Sequence, residues 1–155
     1  MTGTIEARLN ALGITLPAAP TAVANYVPYA ISGNLLFISG QISKGADGKL
    51  VAGTLGQDID VEAGREAARL CALNILAQAN AALGSLDRVA QVLRLTGFVN
   101  SAPTFTDHPT IINGASDLMV EVLGDKGRHT RAAVGVACLP LNSAVEVDAI
   151  IAIAE

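Results

Sequence analysis

From Ala144 to Ile153 the chain reads AVEVDAIIAI, and this alternation constrains the fold more than any other segment. A period of two places Val145, Val147 and Ala149 on one face of a strand, and Glu146, Asp148 and Ile150 on the other. The apolar face needs a covering layer, while the opposite face carries two carboxylates. Just upstream, RAAVGVAC is a second apolar strand run, joined to the first through a Pro-Leu-Asn-Ser turn. Arg131 opens that run and shares a face with Ala133 and Gly135, small residues that leave room beside a guanidinium. A charge buried there without a partner would be costly, so both Arg131 and Glu146 need an explanation.

The rest of the chain supplies the covering layer. The longest periodic segment, DVEAGREAARLCALNILAQANAALG, sets Val61, Ala68, Cys71, Ile75, Ala79 and Leu83 at helical spacing, and Gly84 can close it. Gly64 adds a position without a side chain to that stripe, which predicts close packing against the sheet. FTDHPTIINGASDLMVEVLG predicts a second helix, with Thr106 or Asp107 as cap, Pro109 in the first turn and Gly124 at its end. Ile111, Ala115, Leu118 and Val122 mark its apolar face. Between the two helices, RVAQVLRLTGFVN reads as a strand of about ten residues. Toward the amino end, YAISGNLLFISGQIS predicts a hairpin about Ser32-Gly33-Asn34, and KGADGKLVAG a turn with its tip at Asp47-Gly48. TIEARLNALG predicts a short helix ending at Gly13, followed by a proline-rich extended arm. The order is helix, hairpin, helix, strand, helix, strand, strand. Its economical architecture is α+β, a mixed sheet with two helices on one face. Residues 1–22 form the helix and arm, and 23–155 one domain.

Apolar residues make up 51% of the chain and charged residues only 15%, so the surface is short of charge. That imbalance predicts an oligomer whose subunits cover apolar surface. The net charge of −4, the absence of any Lys/Arg run and the five aromatic residues argue against nucleic acid. Cys71 and Cys138 lie in apolar runs and are expected to be buried thiols outside any CxxC pair. His108 is read as a loop residue and His129 as preceding a strand, without metal-ligand spacing. Asp58, Asp60 and Glu62 favour the start of the long helix. GADGKLVAG lacks the spacing and strand-to-helix setting of a phosphate loop. The start lacks a positive n-region and no apolar run approaches bilayer length, which predicts a soluble, cytoplasmic protein with no membrane partner.

Two readings of the charges follow from the residues alone. Arg131 and Glu146 could pair with each other across neighbouring strands. Alternatively, Arg131 holds a carboxylate through its planar fork while Glu146 handles a proton or positions a water.

The runs NYVPYAISGNLLFISGQI and RAAVGVACLPLNSAVEVDAIIAIA resemble the Rid (YjgF-like) family of imine deaminases, also called the endoribonuclease L-PSP family. The likeness rests on a Ser-Gly-Gln strand end, then an arginine, an apolar strand, Leu-Pro, and a Val-Glu-Val-acidic strand, and it spans about residues 23 to 154. It implies a chorismate-mutase-like α+β fold assembled as a homotrimeric barrel, with ligand sites in clefts between subunits. It also implies hydrolysis of 2-imino acids, or their enamine tautomers, to 2-keto acids and ammonia without metal or organic cofactor. On this resemblance Arg131 binds the substrate carboxylate, Glu146 positions water, Tyr26 completes the catalytic set, and Ser39 and Asn113 line the pocket. Ala133 and Gly135 stand where many relatives carry cysteine and glutamate, a difference that bears on the substrate. A non-catalytic carboxylate-binding module is the alternative, and a ribonuclease or translation inhibitor fits the acidic balance poorly.

Overall fold

Val145, Val147, Ala149 and Ile151 are buried, and Glu146, Asp148 and Ile150 are only partly covered, as their alternation requires. In the computed structural model, which describes residues 3–155, they belong to the strand β5 (Val145–Ile153) at the centre of a five-stranded sheet. The others are β1 (Tyr29–Ser32), β2 (Leu35–Ile42), β3 (Val89–Asn100) and β4 (Thr130–Val136). Their spatial order is β1-β2-β5-β3-β4. Every pairing is antiparallel except β3 with β4. A parallel pair needs a crossover, and the helix α3 (His108–Leu123) supplies it. The fold is therefore the expected α+β arrangement with a mixed sheet.

α2 (Val61–Leu83) starts at Asp60, whose carboxylate accepts a hydrogen bond from the Ala63 amide at 2.8 Å. It ends at Gly84, which adopts a left-handed φ of 79°. Asp60→Ala is expected to cost about 1 kcal/mol, measured by urea denaturation, because it leaves that amide without its cap. The stripe Ala68, Cys71, Ile75, Ala79 and Leu83 is buried, whereas Val61 in the first turn is exposed. A Cβ on Gly64 would lie 2.8 Å from side-chain carbons of both Ile111 and Leu55. Gly64 therefore packs against α3 and a loop residue, and the expectation that it seats the helix on the sheet is corrected.

α3 begins one residue before Pro109, so His108 is helical and the loop assignment is wrong. A proline in the first turn leaves no amide to satisfy there. Cys71 is buried as expected, but Cys138 is exposed. β4 ends at Val136, so the apolar run continues past the strand into a surface loop. β3 is twelve residues long, with register shifts between Val89 and Gln91 and between Val92 and Arg94. The hairpin turns at Gly33, with φ of 61°. The short helix α1 (Thr4–Ala11) buries Ile5 and Leu9 in the same core as the sheet. Asp87 caps it, accepting from the amides of Thr4 and Ile5. No helix among the described residues is long and apolar enough to cross a membrane.

α2 and α3 lie on one face of the sheet and leave the other without a helix. Register places Phe37 beside Ile150, Ala132 beside Thr96 and Val134 beside Phe98 on that open face, with Asp148 and Glu146 one strand further in, level with Thr96 and Phe98. Phe37 is 41% exposed and Val134 43%.

Candidate active site

Arg131 stands on β4, the edge strand that follows α3. It is level with Leu95 of β3, so its side chain rises on the helix-covered face toward α3. There Nη1 donates to Asn113 Oδ1 at 2.7 Å and to Ser116 Oγ at 3.1 Å, and Nη2 donates to the Pro109 carbonyl at 3.4 Å. Both Nη1 hydrogens are thereby engaged. Nε–H and the second Nη2–H have no partner among the described residues. They form one side of the guanidinium, the fork that matches a carboxylate. No acidic side chain pairs with Arg131 among the described residues.

Glu146 occupies a different environment. A hollow of 420 Å³ is lined by Tyr26, Ser39, Gln78, Leu141 and Glu146 among others. Its wall is the extended arm, held where Ser39 donates from Oγ to the Val27 carbonyl at 2.7 Å and from its amide to Pro28 O at 2.9 Å. The β2–β5 register breaks between Ile38 and Gln41, and Gly40 in that irregularity lies against the Glu146 side chain. A Cβ at Gly40 would come within 2.9 Å of the carboxyl carbon, so only glycine lets the carboxylate lie over the strand. Burial raises the Glu146 carboxyl above its ordinary range, and the Asp148 charge adds to the effect. The nearby Cys71 thiol is raised well above its usual value, first by its own burial and then by Glu146.

The Glu146 shift has a stability consequence. Because the folded carboxyl binds its proton more tightly than the unfolded one, stability is greatest below the unfolded value and declines as pH rises through the folded value. Glu146→Gln is expected to raise the melting temperature at neutral pH and leave it unchanged below about pH 4. Thermal denaturation at the two pH values checks this.

Within one chain the five residues named from sequence fall into two groups. Arg131 and Asn113 meet beside α3, whereas Tyr26, Ser39 and Glu146 line the hollow at the β2 edge. Arg131 is level with Leu95, which is level with Ala149, and Glu146 is an odd three residues away. The guanidinium and the carboxylate therefore point to opposite faces of the sheet. They form no ion pair, which corrects the cross-strand alternative. Ser116 escaped notice in the sequence, and His129 was read only as a residue preceding a strand. Ser116 follows Asn113 at i+3 on α3 and His129 precedes Arg131 by two, spacings that place both near the guanidinium once the helix and strand are known. Among the described residues no cluster of His, Cys, Asp or Glu is placed to hold a metal ion.

Comparison with known proteins agrees with the architecture. The family model described as "YjgF/chorismate_mutase-like, putative endoribonuclease" matches residues 6–153. Protein TCP17 of Trypanosoma cruzi is 51% identical over 150 residues, covering 96% of this chain and 94% of that one. The crystal structure of Atu1372 from Agrobacterium tumefaciens, a protein of unknown function, is 54% identical with a TM-score of 0.89, covering 97% of this chain and 94% of that one. A Shewanella oneidensis structure described as "a putative endoribonuclease" is 41% identical with a TM-score of 0.92, covering 97% and 99%. The match along nearly the whole length, on the same mixed sheet and helices, makes this chain a member of the YjgF/chorismate-mutase-like family.

Proposed function

We propose that the protein hydrolyses 2-imino acids, or their enamine tautomers, to 2-keto acids and ammonia at a site shared by two subunits of a homotrimer. One protomer contributes Arg131 and Asn113, and its neighbour contributes Glu146, Ser39 and Tyr26. The observation that carries this reading is the unfilled fork of Arg131, a guanidinium anchored through Nη1 and one bond from Nη2, with no carboxylate to meet among the described residues of its own chain. The helix-free face of the sheet, with Phe37 and Val134 exposed, is the surface a second copy would cover. A related structure supports an amino-acid-like ligand. TdcF of Escherichia coli was solved with bound serine, and is 28% identical with a TM-score of 0.64, covering 89% of this chain and 94% of that one.

The chemistry asks little of the protein beyond orientation. The fork of Arg131 takes the substrate carboxylate and fixes the plane of the adjoining C=N group. A protonated imine carbon is electrophilic, and water held by Glu146 adds to it as the carboxylate takes one proton from the water. The same carboxyl returns that proton to nitrogen, and as the C–N bond breaks the hydroxyl on carbon gives its proton to the carboxylate and becomes the keto oxygen, so ammonia and the 2-keto acid leave. A carboxyl whose pKa burial has raised is better suited to take up and return a proton than an ordinary surface glutamate. Tyr26 and Ser39 border the water and the substrate side chain.

The test is to generate a short-lived imine from an amino acid with an auxiliary oxidase and follow its loss with and without the protein. Faster keto-acid formation supports catalysis. Binding of 2-keto acids without acceleration supports a carboxylate-binding module instead. The family is also described as one of endoribonucleases. RNA cleavage by highly purified protein, unchanged by Arg131→Ala, would favour that activity over both.

A further inference from the structure

Two side chains outside the family signature are joined to Arg131 in a single hydrogen-bonded line. Nδ1 of His129 lies 2.6 Å from the carbonyl oxygen of Gly127. That oxygen can only accept, so Nδ1 carries a proton. In the neutral ring Nε2 is then an acceptor, and at 2.8 Å it takes the hydroxyl proton of Ser116. A lone pair of Ser116 Oγ is left facing Nη1 of Arg131 at 3.1 Å. Donation runs in one direction, from guanidinium to serine to imidazole to carbonyl, and each bond polarises the next.

The far end of this line is fixed. Gly127 closes the 3-10 turn Gly124–Gly127, and a Cβ there would fall on the Met119 carbonyl and lie 2.9 Å from the Val120 nitrogen. The turn is therefore seated directly on the backbone of α3. The imidazole is also biased toward its neutral form. Burial lowers its pKa, the Gly127 carbonyl pulls the other way more weakly, and the Arg131 charge lowers it a little further.

We infer that His129 is a positioning residue, which through Ser116 locks the Arg131 guanidinium so that its free Nε–H and Nη2–H side meets the substrate carboxylate. The inference rests on the proposed role of Arg131. Without Ser116 the guanidinium would keep Asn113 on Nη1 and only the longer bond from Nη2 to the Pro109 carbonyl, at 3.4 Å. The Ser116 acceptor, tied back through His129 to the Gly127 backbone, fixes the second Nη1 hydrogen and so the plane.

Ring-nitrogen NMR of the wild-type protein tests the line without any substitution. At neutral pH His129 should show the Nδ1–H tautomer. An Nε2–H tautomer or a doubly protonated ring would overturn the inference. The functional test titrates pyruvate, a 2-keto acid, against His129→Phe, Ser116→Ala and the double variant. Each single substitution should weaken pyruvate binding about tenfold, the effect of losing one hydrogen bond to a charged group. The double variant should be no weaker than either single one, because both break the same line. His129→Gln, whose amide oxygen can still accept from Ser116, should recover much of the loss. In imine hydrolysis the effect should appear in KM with kcat within about twofold, and an imine lacking a carboxylate should show none. Wild-type affinity in a folded His129→Phe protein, or additive losses in the double variant, would overturn the inference and leave the proposed function standing. If the wild-type protein neither binds pyruvate nor speeds imine hydrolysis, the reading of Arg131 falls first and the inference with it.

Discussion

Arg131→Ala is expected to lower kcat/KM for 2-imino acid hydrolysis by about 10²–10³-fold, the largest effect of any single substitution on activity. Two charge-assisted hydrogen bonds to the substrate carboxylate are lost, each contributing roughly 1.5–3 kcal/mol. Much of the loss should appear as a raised KM, because the carboxylate is held in ground state and transition state alike. Some should appear in kcat, since an untethered imine presents its carbon to water in many orientations. Lysine should not restore the enzyme, because a single ammonium cannot make two parallel bonds or be held by both Asn113 and Ser116 in the same way. Steady-state rates with an imine made in situ measure all three proteins. The half-buried Arg131 has no ion pair to lose among the described residues, so thermal stability should change little and separate this effect from misfolding.

The largest stability effect is expected at Gly114, and its sign is the informative part. In an exposed helix interior, glycine to alanine stabilises by about 1 kcal/mol. At Gly114 the new Cβ would fall on the backbone carbonyl of Arg65 and lie 2.9 Å from its carbonyl carbon. Backbone cannot swing aside as a side chain can, so α2 and α3 would have to separate. Gly64, a residue from that contact, is already tight against Ile111 and Leu55. Overpacking of this kind costs about 1–3 kcal/mol, and valine at the site should exceed alanine. Urea denaturation should show both variants destabilised, against the helix-propensity expectation. Activity should fall as well, because Asn113 is the neighbouring residue on α3 and holds Arg131.

Much of this architecture is legible in the sequence because local chemistry decides it. Asp60 and Gly84 bracket α2 where an N-cap and a left-handed terminus are wanted, and Gly33 turns the hairpin. Alternation in AVEVDAIIAI assigns each residue of β5 to its face without reference to any other strand. The misreadings arise where tertiary context decides. Apolarity continues from β4 to Cys138, but the strand stops at Val136, and periodicity alone does not mark that end. Gly64 signals close approach, yet its partner is another helix, which spacing within α2 cannot name.

The candidate site divides in the same way. Residue chemistry singled out Arg131 and Glu146, and the family resemblance added Tyr26, Ser39 and Asn113. Which face each occupies depends on register through β3, a strand that lies between β4 and β5 in space and precedes both in sequence. That register turns Arg131 toward α3 and Glu146 away from it. The link of Ser116 and His129 to Arg131 was illegible for a related reason. Each is an ordinary polar residue until α3, the 3-10 turn and β4 bring them to one guanidinium.

In the proposed mechanism two copies of the chain complete one site, and subunit complementation tests that requirement directly. Arg131→Ala and Glu146→Gln chains, each strongly impaired alone, would be co-expressed and the mixed oligomers assayed for imine hydrolysis. A working site takes its arginine from an E146Q chain and its glutamate from an R131A chain, so random equal mixing should restore about a quarter of wild-type activity. Mixed oligomers no more active than either parent would contradict a shared site.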